Sequence, residues 1–188
     1  TMRSFAEERK LGTLETILTT PTNAGCIVLG KWFASFTFYM MICTLSFIFP
    51  LILIYIYPDQ AFNLGFTDLE NWIGCIFFLI IYGGSFTAIG IFSSTLTKSQ
   101  MVAGMLSFTL ITAYISIMAF YNDITSHIAE YNNVTKIIYD LLIPITYGFD
   151  KLEQFSVGFI DSATVLHQVS LIAFFLILSI IQVNRLHR

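Results

Sequence analysis

Charge is what this sequence has least of. Of its 188 residues only 11% are Asp, Glu, Lys or Arg, where soluble domains carry roughly 25%. Hydrophobic residues make up 56%, and the mean hydropathy of +0.76 is too apolar for a surface facing water. A formal net charge of −3 leaves no dense basic stripe, so nucleic acid is not an expected partner. Cysteine is sparse as well. Cys26, Cys43 and Cys75 are dispersed, form no C-x-x-C pair and have no His/Cys ligand spacing, so they read as small buried apolar residues rather than metal ligands. Catalytic patterns are missing too. His127, His167 and His187 form no H-E-x-x-H, and no Ser sits in G-x-S-x-G. No carboxylate lies inside a long apolar run, which excludes a carboxylate proton relay. The expectation is therefore no catalytic residue, no metal and no cofactor bound by the chain itself. His167, near a run, reads as an interface residue.

What the sequence does have is long stretches without charge. Trp32 to Pro58, Asn71 to Thr97, Ser99 to Asn122 and Ser162 to Asn184 contain no Asp, Glu, Lys or Arg. Each exceeds the ~20 residues that a helix needs to cross a hydrocarbon core, where a single charge costs ~2.5–3.5 kcal/mol or more. Barrel strands would alternate in polarity over ~10 residues, and FFLIIYGGSF does not. The expected fold is all-α and polytopic, with spans at 24–58, 71–97, 99–122 and 162–184. Seven of the nine basic residues, Arg3, Arg9, Lys10, Lys31, Lys98, Arg185 and Arg188, fall on one side of this arrangement. By the positive-inside rule both ends of the chain are expected in the cytoplasm. Residues 123–161 then form an extracytoplasmic region. Val134, Ile137, Ile138, Leu141 and Leu142 share one helical face within it, which suggests short interfacial or re-entrant helices. The opening Thr1-Met2-Arg3-Ser4 has no signal-peptide pattern, and the natural chain is expected to extend further toward its N-terminus.

GCIVLGKW, from Gly25 to Trp32, resembles a phosphate-binding loop up to its lysine, but Trp32 stands where Ser or Thr would hold magnesium. The stretch runs directly into the first span, where helical N–H groups are already bonded, so Lys31 and Trp32 read as an interfacial anchor. Pro50 is expected to kink or end the outer part of that span. Tyr82, Gly83, Gly84, Ser85, Thr87, Ala88 and Gly90 suggest close helix packing. A substrate path lined by Ser85 and Thr87 is the competing reading. The front segment 1–23 holds a charged helix ended by Gly12. A second, two-turn amphipathic helix follows, with Thr13 as N-cap, Glu15 in its first turn and Pro21 at its close. Its polar face is not rich in Lys or Arg, which fits a docking surface for a cytoplasmic protein better than a lipid-surface helix.

AEERKLGTLETILTTP resembles the E-x-G-T-x-E…P signature in the first cytoplasmic loop of type-2 ABC exporter permeases. VLGKW, FSSTLTKSQMVAG and YGFDKLEQFSVGFID resemble the same family, nearest to its gliding-motility-associated subunits of Bacteroidetes type. The resemblance implies a permease of six spans, two of them preceding this sequence, in the inner membrane. It implies that Glu7, Glu8, Gly12, Thr13 and Glu15 form the coupling segment to a separate ABC ATPase subunit, which carries the ATP and magnesium. It implies a dimer with a second permease copy or paralogue. A non-transporting membrane anchor and an intramembrane enzyme with a polar cluster around Ser85 or His167 are the alternatives.

Overall fold

A backbone in lipid has no water to bond, so each spanning segment must satisfy its own N–H and C=O groups, and a helix does this within one segment. A computed structural model describes residues 3–11, 23–59, 69–128, 155 and 158–187, and every regular element among them is a helix. These are α1 (Arg3–Leu11), α2 (Ala24–Ser46), α3 (Ile48–Ile56), α4 (Leu69–Leu96), α5 (Gln100–Ile128) and α6 (Ser162–His187). Among the described residues four helical stretches are long and apolar enough to cross a membrane: Ala24–Ile56, Glu70–Leu96, Gln100–Ile117 and Ser162–Arg185. The all-helical, polytopic expectation holds.

The first of these stretches is interrupted where the proline requires it. α2 stops at Ser46, Phe47 forms a turn, and α3 resumes at Ile48. Pro50 has no N–H to give to Ser46, and its ring crowds the carbonyl four residues back. The Phe47 amide still reaches the Cys43 carbonyl at 3.2 Å, so the interruption is a local kink. α5 behaves differently from the sequence reading. It continues through Asp123 to Ile128, beyond the charge-free run. DITSHI contains neither Gly nor Pro, so nothing in it stops a helix that is already propagating.

α4 is the hub. In its most apolar stretch 61% of residues are buried, against 22% for α6, 11% for α5 and none for α2–α3. Its small-residue face explains why. Phe36 lies between Trp32 and Tyr39 in a stacked aromatic ladder on α2, which packs on α4 at Gly83 and Gly84. A Cβ on Gly83 would overlap the Tyr39 ring. The exposed carbonyls are put to use: Trp32 Nε1 donates to Gly84 O at 3.2 Å and Tyr39 OH donates to Leu79 O at 3.3 Å. Thr87 is buried and donates back to the Gly83 and Gly84 carbonyls. Ser85 is fully buried and bonds Gln168 of α6 at 2.7 Å. Both hydroxyls therefore serve packing in this conformation rather than lining an open path.

The core has two parts. At the α1 end, Phe5, Val28, Ala88, Ile91, Leu176 and Val183 form one cluster. At the opposite end, Phe78 and Tyr82 of α4 pack with Phe155, whose ring meets Phe78 edge-on at 5.7 Å. Phe155 lies in the expected extracytoplasmic region, and it folds back onto α4. Gly158 makes that return possible with a φ of 81°, and its amide bonds the Phe155 carbonyl at 2.9 Å. Asp161 then caps α6, accepting from the Ala163 amide at 3.1 Å. The expected helix around 134–142 lies outside the described residues. The cysteines correct the sequence reading: Cys26 is exposed and Cys43 and Cys75 are half-buried. An apolar side chain on a lipid-facing helix needs no protein cover.

Gly83→Ala should destabilise the bundle by about 1–3 kcal/mol through overpacking, seen as a lower thermal midpoint in detergent. Adding Tyr39→Leu should recover part of the loss. Gly30→Ala, where a Cβ meets nothing within 4 Å, should leave the midpoint unchanged or raise it.

Candidate functional site

The charged side chains that the spans exclude gather where α1 meets the ends of α2 and α4. Hydrophobic burial positions α1 first. Phe5 and Ala6 are fully buried, Phe5 within the core cluster at the α1 end, and a Phe side chain contributes about 1.5–3 kcal/mol when buried. Hydrogen bonds then fix its direction. The Phe5 and Ala6 amides, in the first turn of α1 as described, both donate to Ser94 Oγ, at 3.0 and 3.1 Å. At the other end of α1, Arg9 donates to the Thr95 carbonyl at 2.7 Å. That carbonyl belongs to the last turn of α4, where carbonyls lack helical partners and the helix dipole favours a cation.

Lys31 of α2 closes the junction. It forms an ion pair with Glu8 and lies 4.0 Å from the centroid of the Phe5 ring. Both charged side chains are partly exposed, so the pair alone is worth at most about 1 kcal/mol, and the cation–π contact adds roughly 0.5–1 kcal/mol. Added to the Phe5 burial and the Ser94 and Arg9 bonds, this clamps α1 to the ends of two spans. A rigid-body displacement of α1 would be passed directly to α2 and α4.

The stretch from Gly25 to Trp32, read from the sequence as an interfacial anchor rather than a phosphate loop, takes its place here as well. Gly25, Gly30 and Lys31 all lie within α2, and the Cys26 amide is bonded to the Asn23 carbonyl at 2.9 Å. A helix in this register offers no cradle of free amides, and the lysine is directed at Glu8 instead.

Of the residues assigned to the coupling segment, Glu7 and Glu8 lie on α1 and both are half-buried and engaged in interactions. Gly12, Thr13 and Glu15, with the expected second front helix, lie outside the described residues. The sequence reading missed Phe5, Ser94 and Thr95. A faint signal was present in SSTLT, a run of hydroxyls at the end of an apolar helix with nothing local to require them. Around Ser85 the described polar partners are Gln168, which in turn bonds Tyr114, and the Ile81 carbonyl of its own helix. Nε2 of His167 is buried with no hydrogen-bond partner among the described residues, and among them no group of His, Cys, Asp or Glu is arranged to hold a metal ion.

Compared with known families, residues 1–184 match the model of the ABC-2 family transporter proteins. The chain belongs to the ABC-2 transporter family. No curated protein and no solved structure matches it. The match spans α1 as well as the four spanning stretches, so the clamp is part of the family domain. The protein is a multi-pass membrane permease component of an ABC transporter, a class of subunit that works with an ABC ATPase and is generally not itself catalytic.

Lys31→Glu should loosen α1, raising hydrogen exchange of its amides roughly 5–10-fold, as expected for loss of about 1–1.4 kcal/mol. Combining it with Glu8→Lys should recover only part of this protection, because the ion pair returns while the cation over Phe5 does not. Wild-type exchange in the single variant would show that Lys31 contributes nothing to the clamp.

Proposed function

We propose that this ABC-2 permease is an exporter subunit driven through α1 and the segment after it. In this reading a separate ABC ATPase subunit, holding ATP and magnesium, grips a surface that includes Glu7, Gly12, Thr13 and Glu15. Glu8 serves the inner side of that element by holding it to Lys31. The observation that carries the reading is the clamp itself: α1 is tied to α2 and α4 by Phe5, Ser94, Arg9 and Lys31. An element attached in this way can transmit closure of the ATPase subunits to the spans, provided that nucleotide binds the two permease states unequally.

The remaining assignments rest on the charge pattern and the sequence resemblance. The excess of Lys and Arg at the α1 end supports placing that end, both chain ends and the Lys98 loop in the cytoplasm, with the protein in the inner membrane. The likeness of AEERKLGTLETILTTP and its companion segments supports export rather than import, a dimer with a second permease copy or paralogue, and the gliding-motility-associated branch of the family.

The test is co-purification in nanodiscs of the full-length protein with the ATPase encoded beside it. The expected result is a stable complex that hydrolyses ATP, and Glu15→Lys should dissociate it or uncouple hydrolysis from the spans. Failure of a correctly folded protein to bind the ATPase would overturn the coupling reading. Binding with no nucleotide-dependent change in the spans would favour a membrane anchor.

A further inference from the structure

The four spanning stretches are not tied together equally. α2 is bonded to α4 through Trp32 and Tyr39, and α1 is bonded to α4 through Ser94 and Thr95. α6 is bonded to α4 through Gln168 and Ser85, and the two share both core clusters. The hydroxyls of α5 are mostly spent on its own backbone: Ser107, Thr109 and Thr112 all donate to carbonyls within three or four residues. Among the described side chains, a single hydrogen bond joins α5 to another helix. Gln168 Nε2 donates to Tyr114 OH at 3.0 Å.

The position of that bond matters. α4 and α5 form a hairpin joined through Thr97 to Ser99 at the α1 end. Tyr114 lies 15 residues beyond Ser99, about 22 Å up the helix. Tyr114 is the midpoint of α5, so the hairpin is held covalently at one end and by Gln168 at mid-length. Within Gln100–Ile117 of α5 only 11% of the apolar stretch is buried, so there Gln168 supplies a directional tie that packing alone does not. Gln168 itself is fully buried, with its amide shared between Ser85 and Tyr114. An uncharged amide is costly in an apolar run unless bonded, and here it joins α4, α5 and α6 at one point.

We propose that Gln168 is a positioning residue for transport, and that its bond to Tyr114 is the latch that holds the middle of α5 against α4 and α6. Ser85 orients the amide, so the latch is seated on the hub helix. Movement delivered to α4 by α1 displaces Ser85 and with it Gln168, and releases α5. The inference rests on the permease reading above, and it assigns a residue remote from the ATPase contact.

The test places spin labels at Ala113→Cys and Leu166→Cys, both exposed positions, with Cys26, Cys43 and Cys75 replaced by Ala. Distances are measured on the full-length protein in nanodiscs. Tyr114→Phe, which removes one hydroxyl and keeps the ring, should raise the long-to-short distance ratio about threefold without nucleotide, the scale expected for one interhelical bond in a membrane. Gln168→Leu should do the same, and the double variant should add little to either. With the ATPase bound, a trapped ATP state should lengthen the wild-type distance toward that of Tyr114→Phe. Wild-type distances in Tyr114→Phe would overturn the latch. So would a wild-type distance that ignores nucleotide while the bound ATPase is active. Absence of ATPase binding would sink the coupling reading, while the nucleotide-free comparison would still decide the latch.

Discussion

In a bilayer interior no water stands ready to satisfy a polar group that has lost its partner. The arrangement of this protein follows from that constraint. Each span is helical because only a helix completes its own backbone bonding, and hydroxyls on lipid-exposed positions, such as Thr37, Thr44 and Thr109, donate back to their own helix. Side chains that cannot bond locally, such as Trp32, Tyr39 and Gln168, must find another helix, and α4 is where most of them arrive. Glycines at 83 and 84 let them approach the α4 backbone closely enough to use its carbonyls.

The same constraint sorts the charges. Excluded from the spans, they collect at the helix ends, where the ends themselves have unmet groups. Arg9 meets the last-turn carbonyl of α4, and the Ser94 hydroxyl accepts from the Phe5 and Ala6 amides of α1. Helix termini and displaced charges thus build the junction that makes α1 a part of the bundle. It differs in kind from the far end of the molecule, where Phe155, Phe78 and Tyr82 hold the chain by aromatic packing.

Much of the fold could be read in the sequence, because it depends on local properties. The span number follows from run length without charge, the break near Phe47 follows from Pro50, and the charged front helix shows in its composition. Glu7 and Glu8 were placed correctly on that helix, though the ion pair of Glu8 with Lys31 was not foreseen. Lys31 was expected at the entry to the first span, and it lies within α2. Cys26 was misread as buried because sequence hydropathy does not distinguish a lipid-facing residue from a core residue.

By itself the sequence determined how many helices cross the membrane and where the charges cluster, since these are set by what each segment costs in hydrocarbon. Tertiary structure alone decided which polar residues are partners. Ser94 lies 89 residues from Phe5, Gln168 lies 83 from Ser85 and 54 from Tyr114. No periodicity within one helix announces a bond of that range, because its energy is realised only once packing has brought the two faces together and excluded every other partner.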